Sequence, residues 1–173
     1  HEYVAGKVFA MVGGSPTDSE IAPNVITALG PQLRKRGCKV YTSDLRVAIP
    51  HLDIYTYPDV TVVCGERQFD GKDGGLLNPT VLIEVLSPAT ERYDRGMKFG
   101  RYQRLASLRE YVLIAQAYPF IERLSRLEND LWSRDFADDL GTAIALPSID
   151  CALSLADVYA EVTFDEANGN PVG

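Results

Sequence analysis

TVLIEVLSP, residues 80–88, sets one carboxylate inside an apolar run. Val81, Leu82, Ile83, Val85 and Leu86 read as a strand buried on both faces, of the kind found in the middle of a covered sheet. Glu84 sits at its centre. An ionised carboxylate removed from water costs several kcal/mol, in order of magnitude, unless something compensates it. Two compensations are open: an arginine such as Arg109 or Arg101, or a bound cation.

Working outward, Ser87-Pro88 marks the start of a helix over about 90–105, and 111–115 is the next strand. A helix between two strands acts as a crossover between parallel neighbours. Upstream, 2–12 reads as a hairpin turning at Ala5-Gly6, with Gly13-Gly14 breaking it. Ser15-Pro16 resembles a helix cap, and Ile21, Val25, Leu29 and Leu33 recur every four residues as a helix stripe. Pro23 and Gly30-Pro31 predict a kink or an early break there. Strands are expected at 39–43, 45–49 and 60–64, then at 121–127 and 131–133, with a short terminal helix over 154–161 capped by Ser154. The sum is an α/β fold, a mixed central sheet flanked by helices, in a single domain spanning residues 1–173.

Composition narrows the chemistry. The chain has 173 residues, 46% of them hydrophobic, enough for one core. No apolar run approaches the roughly 18 residues of a membrane span, and no signal-peptide pattern opens the chain, which begins at His1. Cys38, Cys64 and Cys151 are odd in number and far apart, and read as reduced thiols of a cytoplasmic protein. With only two histidines, a Ser-His-Asp triad or a multi-histidine zinc site is disfavoured. The net charge of −7 argues against nucleic acid as a partner. Its distribution argues back: Arg92, Arg95, Lys98, Arg101, Arg104 and Arg109 face a single acid, Asp94, between 92 and 109. A solvated helix face is the plain account of that run.

A second acid stands out in TYPDVTVV, residues 56–63, where Pro58 precedes Asp59 at a strand start. If that strand neighbours the one holding Glu84, the two carboxylates converge. Like charges in a partly buried site force a proton onto one of them unless a cation intervenes, and Mg2+ accepts one or two carboxylates plus waters and phosphate oxygens. Asp59 also fits a simple turn acid. Asp94, Lys98 and Tyr102 lie four residues apart on one helix face, so Lys98 could reach back to Glu84; an Asp94–Lys98 surface pair is the other account.

These residues resemble the PD-(D/E)XK nuclease superfamily, of restriction-endonuclease-like fold, and more narrowly the Uma-two family of proposed endonucleases. The phrases that carry the match are HEYVAGKVFAMVGGSP (1–16), YPDVTVVCGE (57–66), the long stretch 76–114 containing EVLSP and YDRGMKF, and ALPSIDCALSLADVY (145–159). The resemblance implies that Asp59 and Glu84 bind Mg2+ (or Mn2+), and that the core carries added β-strands. It implies Lys98 as the lysine, because the superfamily's own position, two residues after Glu84, holds Leu86 here. Glu2 matches an N-terminal acid that helps position metal or water, although an exposed Glu in a frayed start fits as well. Glu20 stands where the resemblance implies His. The expected function is Mg2+-dependent hydrolysis of DNA phosphodiester bonds by a homodimer, with Arg95 and Arg101 on flanking phosphates. A nuclease fold without catalysis, binding DNA or regulating, is the competing expectation, supported by Leu86 and the acidic charge.

Overall fold

The computed structural model describes residues 2–9, 16–71 and 74–164. The chain runs β1 (Glu2–Val4), β2 (Lys7–Phe9), α1 (Pro16–Leu33), β3 (Cys38–Thr42), β4 (Val47–Ile49), β5 (Ile54–Thr56), β6 (Val60–Cys64) and β7 (Val81–Leu86). A continuous helix in three stretches follows: α2 (Glu91–Tyr93), a π-helical turn (Asp94–Lys98) and α3 (Phe99–Tyr102). Then come β8 (Glu110–Ala115), β9 (Ile121–Arg126), β10 (Trp132–Ala137), β11 (Ala143–Leu146), β12 (Cys151–Ser154) and α4 (Leu155–Val158).

A six-stranded sheet, ordered β10-β9-β8-β7-β6-β3, forms the centre. Its pairs are antiparallel except β7 with β8, which run parallel across the helical crossover. All six residues of β7 are buried, as the apolar run requires. Alternation divides them. Val81, Ile83 and Val85 face the α1 stripe of Ile21, Val25, Leu29 and Leu33. Leu82 and Leu86 face the other way, into a cluster with Val47, Ile49 and Tyr102. A second sheet, β2-β1-β5-β4, supplies part of that other layer. Glu84 follows Leu82 and Leu86 by the period of two, so it points into this layer.

Several expectations change. The helix α1 runs unbroken through Pro23 and Pro31. Each proline costs about 3 kcal/mol in a helix interior. Four fully buried stripe residues, at about 1.5–3 kcal/mol each, outweigh that. The helix expected over 90–105 is present and runs without a gap from Glu91 to Tyr102, with a π turn between its two α stretches. The strand β5 and the pair β11–β12 were not expected, being three or four residues long and too short to show a period. The cysteine reading is corrected. Register sets Cys38 directly opposite Cys64 on β3 and β6, and the two are joined in a disulfide. Only Cys151 is a free, buried thiol, so the cysteines no longer argue for a reducing compartment. The hairpin β1–β2 turns at Ala5-Gly6 as expected, and Ser154 caps α4 by accepting from the Asp157 N–H. Ser15 and residues 10–14 lie outside the described residues. No described helix is long and apolar enough to cross a membrane.

Candidate active site

The site is assembled around Glu84, which is 3% exposed. Its compensating cation is Lys98. The Lys98 Nζ lies 2.8 Å from Glu84 Oε1, 3.3 Å from Asp94 Oδ1 and 3.8 Å from Glu2 Oε1. The helical spacing that aligned Asp94, Lys98 and Tyr102 thus becomes one wall of a buried pocket. Tyr102 donates to Glu84 Oε1 at 2.9 Å. Neither Arg109 nor Arg101 is the group that pairs with Glu84: Arg101 donates to the Tyr93 hydroxyl at 2.6 Å, and Arg109 is exposed.

Asp59 arrives from the neighbouring strand. Val60 pairs with Ile83, so one step further Asp59 comes beside Glu84. Its Oδ2 accepts the Val85 N–H at 2.7 Å. Glu2 is buried rather than frayed, and accepts from the Thr56 hydroxyl and the Tyr93 hydroxyl, each at 2.6 Å. Leu86 is buried in the apolar cluster that holds Leu82, Tyr102 and Leu113. Glu20 is exposed on α1.

Electrostatics make the site short of positive charge. Glu2, Glu84 and Asp94 surround one lysine, and Asp59 acts on Glu84 from the other side. Burial pushes the Glu84 carboxyl up to about 8, with Asp59 and Asp94 adding to the rise and Lys98 opposing it. Asp94 is raised as well, chiefly by burial. Burial alone would lower Lys98, but Glu84 and Asp94 hold it above its ordinary range, so it remains an ammonium. The hydroxyls of Tyr102 and Thr56, 3.1 Å apart, link Glu84 to Glu2: Tyr102 donates to Glu84 Oε1 at 2.9 Å and Thr56 to Glu2 Oε1 at 2.6 Å.

A metal ion is a test of this arrangement. Among the described residues there is no cluster of three or more His, Cys, Asp or Glu side chains placed to hold one. Two adjacent carboxylates, both hard oxygen donors, in a pocket with excess negative charge, fit Mg2+ with water or phosphate completing its shell.

Arg95 belongs to the frame of the site. Register aligns Glu84, Leu113 and Glu122 in one row across β7, β8 and β9, on one face. Lys98 covers Glu84, while Arg95, on the same π turn, pairs with the buried Glu122 and with Glu91. Arg134 meets Glu122 from β10. Glu122→Gln is therefore expected to cost about 1.5–3 kcal/mol in urea unfolding, the range for bonds to a charged group. Arg134→Ala, at a side chain 65% exposed, should cost under about 1 kcal/mol. Equal losses from the two would remove Glu122 from this role.

Sequence reading missed Thr56, Tyr93 and Glu122. Thr56 lies on a three-residue strand, and Glu122 is selected only by sheet register, so neither carries a local signal.

The family model described as "Putative restriction endonuclease", Uma2, matches residues 1–156. The chain belongs to the Uma2 family. Two uncharacterized Synechocystis proteins, slr1290 and sll1609, are 36% and 30% identical to it over 133 and 132 residues. Each alignment covers 76% of this chain, with 69% and 75% of the respective relatives. A crystal structure from Anabaena variabilis, described as a "putative nuclease belonging to DUF820", superposes with a TM-score of 0.75. The match covers 94% of this chain and 90% of that one at 18% identity, which concerns the fold. The Uma2 chain thus has the restriction-endonuclease-like mixed sheet expected of it.

Proposed function

We propose that this Uma2 chain is a metal-dependent endonuclease hydrolysing DNA phosphodiester bonds. The observation that carries the reading is the single buried ammonium of Lys98, 2.8 Å from Glu84, among carboxylates that outnumber it. Asp59 and Glu84 would hold Mg2+ or Mn2+, which when bound supplies Lewis-acid polarisation of the phosphate and lowers the pKa of water. Lys98 orients the attacking water and offsets charge building on the phosphorus oxygens. Its departure from the usual strand position is accommodated because the π turn brings it over Glu84. Tyr102 fixes the Glu84 rotamer, and Glu2 with Asp94 holds the lysine in place.

Arg101 is the phosphate contact in this proposal. Its guanidinium lies 5.6 Å from the Tyr93 ring centroid at the rim of the site. Arg95 is not used in that role, since Glu91 and Glu122 take up its charge. Cutting both strands of a duplex would take two such sites, so a homodimer fits the proposal.

The test is plasmid nicking at low salt with Mg2+ or Mn2+, a chelator control, and the variants Glu84→Ala and Lys98→Ala. Nicking is expected from the wild type and lost in the chelator and both variants. Cleavage that survives Glu84→Ala places the chemistry elsewhere. No cleavage by any protein, with salt-dependent DNA binding retained, supports the non-catalytic module.

A further inference from the structure

A cleft of about 390 Å³ opens beside the lysine pocket. It is large enough for a small flat ligand, by the roughly 300–1,000 Å³ typical of ligand sites. Tyr3, Tyr55 and Tyr57 supply its aromatic surface, and Val8 of the hairpin, 67% exposed, closes one side. Two of the rings are fixed by their phenol ends. Tyr3 donates to Asp53 Oδ2 at 3.1 Å and Tyr55 to Asp70 Oδ2 at 2.6 Å. Their centroids are 5.9 Å apart and tilted by 56°. The Arg46 guanidinium stacks on Tyr55, 4.8 Å from its centroid.

The charged groups of the cleft are Glu2, Asp53 and Arg46, two carboxylates against one guanidinium. Such a lining disfavours a phosphate and suits a neutral flat group with N–H donors at its edge. Glu2 forms a wall of this cleft and, 3.8 Å from Lys98 Nζ, a wall of the lysine pocket. Tyr57 precedes Asp59 by two residues. The cleft therefore adjoins the group of Asp59, Glu84 and Lys98.

We propose that this cleft is a nucleobase subsite, taking one unstacked base of single-stranded DNA next to the bond to be cut. This rests on the nuclease reading and names its substrate as DNA with an unpaired base. Base faces stack on tyrosine rings and guanidinium planes without sequence preference, and the Asp53 carboxylate accepts from an exocyclic amine.

The test is equilibrium binding by fluorescence anisotropy, with Mg2+ absent so that no cleavage intervenes. The probes are a labelled single-stranded oligodeoxyadenosine, a fully abasic strand of equal length, and the corresponding duplex. Wild type should bind the base-bearing strand about tenfold tighter than the abasic strand, the scale of one stacked base. It should also bind that strand tighter than the duplex. Tyr57→Leu should lose most of the tenfold preference while binding the abasic strand unchanged, and Tyr57→Phe should keep it. Equal wild-type affinity for base-bearing and abasic strands overturns the subsite, and this result needs no variant to fold. Tightest binding to the duplex overturns it too. If base preference is absent while Glu84→Ala abolishes nicking, the subsite fails and the nuclease stands. If neither plasmid nor the single strand is cut in Mg2+ but Tyr57-dependent base binding persists, the cleft stands and the nuclease reading fails.

Discussion

Lys98→Met should destabilise the protein by about 3–5 kcal/mol at pH 8.5, the usual cost of removing one partner from a buried ion pair. Methionine keeps most of the lysine stem, so little of the loss comes from a cavity. What remains is Glu84, Asp94 and Glu2, all of which pair with Lys98. The lysine itself does not titrate in the working range. Its folded pKa is raised, so its contribution is fully present below its unfolded value of 10.5 and is lost only as pH climbs through the higher folded value. The pH dependence of the variant comes from the acids it leaves behind. At pH 5.5 the Glu84 carboxyl, raised to about 8, is protonated, and the loss should fall to less than about half of that at pH 8.5. Urea unfolding at the two pH values makes the comparison. A loss below about 1 kcal/mol at pH 8.5, or one independent of pH, would show that the lysine is not what compensates these carboxylates. Adding Glu84→Gln to Lys98→Met should restore part of the stability at pH 8.5, because an unpaired buried charge has been removed.

How much of this was legible in the sequence follows from the range of each interaction. Glu84 was visible because an acid in an apolar strand conflicts with its neighbours, and Lys98 because helical spacing aligned it with Asp94 and Tyr102. Asp59 was visible through its neighbouring proline and strand. The question raised by Glu84 had two open answers, an arginine or a metal ion. The structure gives a third compensator, the lysine that had been considered as a catalytic group. Thr56, Tyr93 and Glu122 were not legible, since only the packing of β5 and of the α2 turn around Glu2, and the register of β9, bring them to the site. The unbroken α1 shows burial overriding local proline chemistry. The disulfide was missed for the same reason as Glu122: Cys38 and Cys64 are separated by 26 residues and become neighbours only across a strand pair. The basic run between 92 and 109 divided unpredictably, with Lys98 buried, Arg95 and Arg101 half-buried, and Arg92, Arg104 and Arg109 exposed.

Between pH 5 and pH 8 the wild type should lose stability more steeply than Glu84→Gln. The Glu84 carboxyl has a folded pKa of about 8 against an ordinary 4.5, so its neutral form is the one the fold favours. Its contribution is complete below the unfolded value and is lost as pH rises through about 8. Inside that window each pH unit removes on the order of 1 kcal/mol. Glutamine cannot ionise and occupies nearly the same volume, so Glu84→Gln should overtake the wild type by several kcal/mol, in order of magnitude, at the top of the window. Denaturant midpoints at half-unit steps of pH give both curves. Parallel curves would mean that Glu84 ionises in the fold as easily as in water, and that the site has no unmet need for positive charge. The same proton couples to the proposed ion. Binding at Glu84 must displace it, so apparent Mg2+ affinity, measured by calorimetry, should rise about tenfold per pH unit below 8 and level off above. Glu84→Gln should abolish that slope. A wild-type affinity flat from pH 6 to 8 would separate Mg2+ from Glu84 even if the stability curves behave as expected, because the two measurements share the carboxyl but not the ion.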